Sequence, residues 1–231
     1  MISDAKNGEN LESASGSFRY DTLVTILGGG DVNTGDLADS LRKAPVLVAA
    51  DGAADRALEL GYVPDLVVGD FDSLSARARA ELPADKLIHV SEQESTDFEK
   101  ALARIDAPGV LALGMTGGRT DHELAAWHTL MRCPVPRCIV VAEEDIVFLC
   151  PPALRLALPV GTRLSLFPMA TVSGSSDGLQ WPIDGIAFAP GRAIGTSNRV
   201  VAEEVCLEVD QPAMLVILPK EHLPAAVSAL F

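Results

Sequence analysis

The chain has 231 residues, 48% hydrophobic and 22% charged, enough for one large domain or two small ones around a real core. Its formal net charge of -14 repels polyanions, which excludes nucleic acid and anionic lipid surfaces as partners. An anionic ligand would need a bound cation and local basic groups to settle on such a molecule.

No apolar run approaches the roughly 20 residues needed to span a bilayer, so no membrane is expected as a partner. Residues 1–17, MISDAKNGENLESASGS, are polar and lack the apolar core of a signal peptide; they read as a disordered lead-in. From residue 18 to 150 short apolar runs alternate with helical patterns. Leu23–Leu27, Val46–Ala50, Leu66–Val68, Leu87–Val90, Val110–Leu113 and Ile139–Ala142 read as strands. Asp36–Lys43, Ala53–Leu60, Ala76–Leu82, Asp97–Arg104 and His122–Cys133 read as helices between them. This alternation predicts an α/β domain with a parallel sheet covered on both faces.

The pattern changes at Pro151 and Pro152. Leu154–Leu158, Arg163–Phe167, Val205–Val209 and Met214–Leu218 are β-type runs separated by glycine and proline, and no long helical pattern follows. Residues 151–231 therefore read as an all-β sandwich domain. The four cysteines, Cys133, Cys138, Cys150 and Cys206, show no tight CxxC spacing and read as reduced thiols of a cytoplasmic protein.

Acids stand where strands should end: Asp51 after VLVAA, Asp70 and Asp72 in GDFDS, and Asp121 in GGRTDH, with Asp97 opening a helix in STDFEKAL. In open parallel sheets ligands collect at the carboxyl ends of the strands. Asp70 and Asp72 are two apart, so in an extended segment they share a face, and carboxylates that close repel unless a cation or proton intervenes. Mg²⁺ takes oxygen ligands, often one or two carboxylates plus substrate phosphates, so the acids predict a magnesium–phosphate site. Each acid also has a plainer role: Asp51 as a turn residue, Asp72 as a cap of the next helix, Asp97 in a first turn capped by Thr96. Arg119 offers a planar fork for phosphate oxygens at a helix start, or a surface pair with Asp121. Lys100 reads as a further phosphate contact or an exposed helical lysine. Gly28–Gly30 allow a phosphate close to the backbone, or form a plain turn. His122 has no second histidine or cysteine at a metal-binding spacing.

Five segments taken together, in order, resemble the thiamine pyrophosphokinase family: ADGAADRALELGYVPDLVVGDFDSLS, EQESTDFEKAL, LGMTGGRTDHELA, GLQWPI and GTSNRV. The resemblance implies an α/β domain followed by a β-sandwich. It implies a homodimer with active sites at the subunit interface, and transfer of the diphosphoryl group of ATP to the hydroxyl of thiamine. By matching positions, Asp70, Asp72 and Asp97 resemble the acids around Mg²⁺ and the ATP phosphates. Asp51, Arg119 and Asp121 resemble the remaining polar lining. Gln93 matches the glutamine that meets the thiamine pyrimidine, and Trp181, Ser197 and Asn198 match residues near thiamine. Asp97 or Asp72 is a candidate acceptor for the alcohol proton. Ala53 and Asp55 depart from the family's glycine and asparagine, and Asp55 adds negative charge beside a phosphate site unless it points away. Two other readings are a diphosphokinase of the same fold acting on another alcohol, such as a hydroxymethylpterin, and a non-catalytic thiamine- or nucleotide-binding protein.

Overall fold

The structure, a computed structural model, describes residues 11–12 and 16–231. The expected lead-in over residues 1–17 lies mostly outside these; within it, β1 (Leu11–Glu12) pairs antiparallel with β2 (Phe18–Arg19). The α/β part continues with β3 (Val24–Leu27), α1 (Thr34–Lys43), β4 (Val46–Ala50), α2 (Ala53–Glu59), β5 (Leu66–Gly69), α3 (Ala76–Glu81) and β6 (Leu87–His89). It is completed by α4 (Asp97–Leu102), β7 (Ile105–Asp106), β8 (Val110–Leu113), α5 (Thr120–Arg132) and β9 (Cys138–Val141). The remainder is β10 (Asp145–Leu149), β11 (Ala153–Ala157), β12 (Arg163–Pro168), β13 (Gly174–Asp177), β14 (Gly195–Arg199), β15 (Glu204–Val209), β16 (Met214–Pro219) and α6 (Leu223–Leu230).

Strands β3, β4, β5, β8 and β9 are apolar runs in which nearly every residue is buried, because both faces of a parallel sheet are covered. Two buried clusters lie on the two faces. Leu27, Leu47, Val67, Leu111 and Ile139 belong to one, and Ile26, Val48, Leu66, Ala112 and Val140 to the other. Helices are anchored by ordinary caps: Asn33 accepts from the Gly35 N–H, Ser75 from Ala78, and Thr96 from Glu99. Among the described residues no helix is long and apolar enough to cross a membrane.

The sheet runs in the order β14-β12-β16-β10-β9-β8-β3-β4-β5-β6. From β3 the chain moves outward through β4, β5 and β6 in parallel, then returns to place β8 on the other side of β3 and β9 beyond it. The direction of winding therefore reverses between β3 and β8, and the strand-end crevice there is where such a sheet binds ligands.

The β-rich remainder is not a sheet apart from the parallel one. β10 turns back antiparallel on β9, β16 pairs with β10, and β12 and β14 extend the same sheet. A second sheet, β11-β15-β13, shares one buried cluster with it: Leu154, Leu156, Val205 and Leu207 meet Leu164, Leu166, Val216 and Leu218. Strands β10, β13 and β14 and helix α6 were not expected from the sequence. Segments GSSD and GTSNR lack apolar alternation and are held by main-chain pairing with β15 and β12. LPAAVSAL is apolar nearly all round, so it shows no amphipathic period, yet it buries Leu223, Ala226 and Leu230 and packs on β11.

Phe148 is fully buried on β10, the strand that joins the parallel and antiparallel parts. Phe148→Ala is expected to lower unfolding free energy by about 3–5 kcal/mol, read from urea denaturation, because removing a fully buried ring loses its transfer free energy and leaves a cavity.

Candidate active site

The winding reversal brings two glycine loops together. Gly28 donates its N–H to Leu113 O at 2.8 Å and Gly30 donates to Gly114 O at 2.8 Å, so the ends of β3 and β8 are stitched main chain to main chain. A Cβ on Gly30 would stand 2.5 Å from Thr116 O, and one on Gly114, at φ 70°, would stand 2.5 Å from Gly28 O. Gly29 faces open space. The GGGD run thus has two glycines required by loop-to-loop contact and one that leaves room for a ligand. Above this seam lies a crevice of about 530 Å³, lined by Gly29, Asp51, Ser73, Asp97, Arg119 and His122 among others, all from residues 28–126.

Asp51 is the last turn out of β4. Its backbone is in the left-handed region at φ 44°, its N–H donates to Val68 O at 2.9 Å, and it is 2% exposed. Its Oδ2 accepts the Ser73 N–H at 3.0 Å, while Oδ1 has no hydrogen-bond partner. Phe71, between Asp70 and Asp72, is also left-handed at φ 65°. Left-handed backbone at residues other than glycine costs about 1–3 kcal/mol each and concentrates at functional sites. Here the twist at Phe71 brings three acids together: carboxylate oxygens of Asp51, Asp70 and Asp72 lie within 4.8 Å of one another.

The surrounding polar groups hold this set. Asp70 Oδ2 accepts from Gln93 Nε2 at 2.8 Å and Lys100 Nζ at 3.4 Å, and Oδ1 accepts the Asp72 N–H at 3.2 Å. Asp72 Oδ1 accepts from the Ser73 hydroxyl at 2.9 Å. The Gln93 hydrogen bond, then the Asp72 N–H, hold the Asp70 carboxyl below the ordinary carboxylate range. Asp97 is different: its Oδ1 is bound to Lys100 Nζ at 3.2 Å, and burial pushes its pKa up against the opposing pull of Lys100. Burial alone would draw the Lys100 ammonium down, but hydrogen bonds and charge from Asp97 and Asp70 outweigh it, and its pKa is raised.

The expected metal set was Asp70, Asp72 and Asp97; the compact group contains the first two with Asp51, while Asp97 stands in the crevice wall with Lys100. The Lys100 side chain is 2% exposed rather than lying free on the helix surface, and it spans the carboxylates of Asp70 and Asp97. Arg119 and Asp121 form an exposed two-point pair, 3.1 and 2.6 Å, at the start of α5. That pair is open to exchange with an incoming anion, since exposed pairs contribute little. His122, given no role from the sequence, lines the crevice beside Arg119. Ser73 was also missed; only the fold shows its N–H against Asp51. Asp55 points away: its carboxylate accepts from both the N–H and the hydroxyl of Ser75, at the start of α3.

Trp181, Ser197 and Asn198 form a second group on the β-rich part. Asn198 is buried, donates to Trp181 O at 2.7 Å and accepts from the N–H groups of Trp181 and Arg199. Ser197 is left-handed at φ 62° with its N–H on Ser165 Oγ, and Trp181 is 55% exposed. None of the three lines the acidic crevice of the same chain.

Two family models match the chain in order. One, thiamin pyrophosphokinase, catalytic domain, covers residues 37–142, and the other, thiamin pyrophosphokinase, vitamin B1 binding domain, covers residues 154–214. The chain is similar to thiamine pyrophosphokinase 1 of Oryza sativa subsp. japonica, 28% identical over 202 residues, 73% of this chain and 76% of that protein. It is also similar to thiamin pyrophosphokinase 1 of Caenorhabditis elegans, 27% identical over 192 residues, 72% and 76% of the two chains. Among solved structures, the thiamin pyrophosphokinase from Candida albicans superposes with a TM-score of 0.72 at 19% identity, covering 86% of this chain and 89% of that one. At that identity the superposition shows a shared fold.

Gln93→Leu removes the largest influence on Asp70. The Asp70 carboxyl is expected to titrate closer to its ordinary value of 3.8 in carboxyl ¹³C NMR. Because the folded pKa is depressed, the Asp70 contribution to stability is present above about pH 4 and lost as pH falls through the folded value; the variant loses part of it.

Proposed function

Since this chain belongs to the thiamin pyrophosphokinase family, we propose that it transfers the diphosphoryl group of ATP to the hydroxyl of thiamine, giving thiamine diphosphate and AMP. The observation that carries this reading is the carboxylate group beside the glycine seam at the winding reversal. It supports a polyphosphate site that works through a divalent cation.

The donor set fits Mg²⁺: hard oxygens only, close together, one of them buried with no partner. Asp70 and Asp72 would hold the ion, which when bound neutralises charge on the phosphates. The chain's own part is positioning, since phosphoryl transfer asks for alignment and charge compensation more than covalent chemistry. Gly29 leaves room for the phosphates against the main chain. Arg119, released from Asp121, would bind phosphate oxygens through its fork, with the exposed first turn of α5 adding N–H groups. Lys100 holds Asp70 and Asp97 in place.

Thiamine is cationic and aromatic, which suits the open face of Trp181. Asn198 fixes the Trp181 main chain through paired hydrogen bonds and Ser197 stands next to it. With these residues outside the crevice of their own chain, we propose a homodimer in which the β-rich part of one subunit faces the acids of the other. Exposed Phe167 and Ile194, near one another across the β12–β14 register, supply an apolar surface for such contact. In this reading Gln93, which donates to Asp70, meets the thiamine pyrimidine. The free, partly or fully buried cysteines support a cytoplasmic setting.

Purified protein with ATP and Mg²⁺ is expected to release AMP only when thiamine is added, with thiamine diphosphate as co-product and loss of both on adding EDTA. AMP release with another primary alcohol and none with thiamine would move the assignment to a different acceptor. Trp181→Ala is expected to raise the thiamine KM roughly 2- to 30-fold with a smaller loss of kcat, as befits a lost stacking and cation–π contact. An unchanged KM with a lower melting temperature would make Trp181 a packing residue.

A further inference from the structure

Cavities continue from the acidic crevice along the strand ends. Beyond the glycine seam, one of about 520 Å³ shares Gly29, Gly30 and Gly114 with the crevice, and shares Asp36 and Lys220 with a third of about 480 Å³. We propose that this third cavity binds an aliphatic polyamine, a linear organic cation with two or more separated ammonium groups.

One wall is a single face of α1, where Asp36, Asp39, Ser40 and Lys43 stand at positions i, i+3, i+4 and i+7. Glu143 and Glu144, in the turn between β9 and β10, and Glu221, after β16, line it from other elements. Five acids thus face two lysines, Lys43 and Lys220. Lys220 is already paired with Asp36 at 2.9 Å, and Asp39 is paired with Arg42. Among the described residues, no lysine or arginine forms an ion pair with Glu143, Glu144 or Glu221, so the cavity is short of positive charge. The net charge of -14 draws cations toward it from further away.

Ser40 supplies a separate observation. It is 1% exposed, it lines this cavity, and its Oγ has no hydrogen-bond partner. A hydroxyl inside a helix can return to the carbonyl four residues back, as Thr129 does to Ala125 O at 2.9 Å, but Ser40 does not. A buried hydroxyl left unpaired is costly, and an ammonium, which only donates, satisfies its lone pairs. The apolar lining suits the methylenes of such a ligand: Val141 and Leu223 are buried, with Pro219 and Pro224 beside them. A metal ion fits less well. Among the described residues, the acids that converge within 4.8 Å as a set of three are Asp51, Asp70 and Asp72, whereas those of this cavity are spread along it. Spread acids ask for a ligand whose charges are spread too.

The test is isothermal titration calorimetry of spermidine into the full chain at low salt, with Mg²⁺ present in excess. Saturable binding of one equivalent is expected. The double variant Glu143→Gln, Glu144→Gln is expected to weaken it about tenfold, and Ser40→Ala about threefold or more. Glu203→Gln with Glu204→Gln makes the same change of charge at the start of β15 and is expected to weaken it less than about twofold. No saturable binding by the unaltered chain, or equal losses in the two double variants, would overturn the proposal, the latter by reducing it to bulk charge attraction. If Ser40→Ala fails to fold, backbone amide signals of the unaltered protein decide. Spermidine should move those of residues 36–43 and 142–145, and movement at residues 70–73 ahead of them would place the cation in the acidic crevice instead. Neither readout needs turnover, so failure here is distinct from absence of thiamine-dependent AMP.

Discussion

The main-chain seam between Gly28–Gly30 and Leu113–Thr116 is the constraint on which the site depends. Two neighbouring parallel strands lead to helices on opposite sides of the sheet, and their loops diverge over a gap. Here the loops are stitched by two N–H···O bonds at the floor of that gap, at a separation that only glycine permits. Everything that could handle a phosphate stands around that floor: Asp51 from the next strand, Arg119 from the loop after β8, and Asp97 from the first turn of α4.

The acids are arranged by backbone twists rather than by regular structure. Asp70 and Asp72 follow a strand end, but Phe71 between them is left-handed, and so is Asp51 on the adjacent strand. Such conformations persist because the surroundings leave no alternative: Gly69 and the Ser73 N–H fix Asp51, and Gln93 and Lys100 fix Asp70. The acids divide into two electrostatic neighbourhoods. Asp70 and Asp97 share one buried ammonium, with opposite outcomes, since hydrogen bonds lower the first and burial raises the second. Among the described residues, no lysine or arginine forms an ion pair with Asp51 or Asp72.

The sheet that carries this site extends beyond the α/β part. Through β10 and β16 it continues into β12 and β14, the strand that bears Ser197 and Asn198. Register along one continuous sheet ties the placement of the Trp181 group to the placement of the acids in each chain. In the homodimer proposed above, the two groups would meet between subunits.

The sequence by itself determined the parallel strands, because a strand buried on both faces must be apolar throughout, and it determined the helices between them by period and caps. It marked the strand-end acids and, through five ordered segments, the family. Tertiary structure decided what the carboxylates touch. Spacing could pair Asp70 with Asp72, but whether Asp51 or Asp97 joins them depends on adjacent strands and a left-handed turn, which local pattern does not encode. The same holds for Asp55, whose charge reads as a liability until Ser75, 20 residues away, is found against it. Helix α6 and strands β13 and β14 escaped the reading for a related reason. Their residues are uniformly apolar or uniformly polar, so they carry no period, and only the partners they pack or pair with define them.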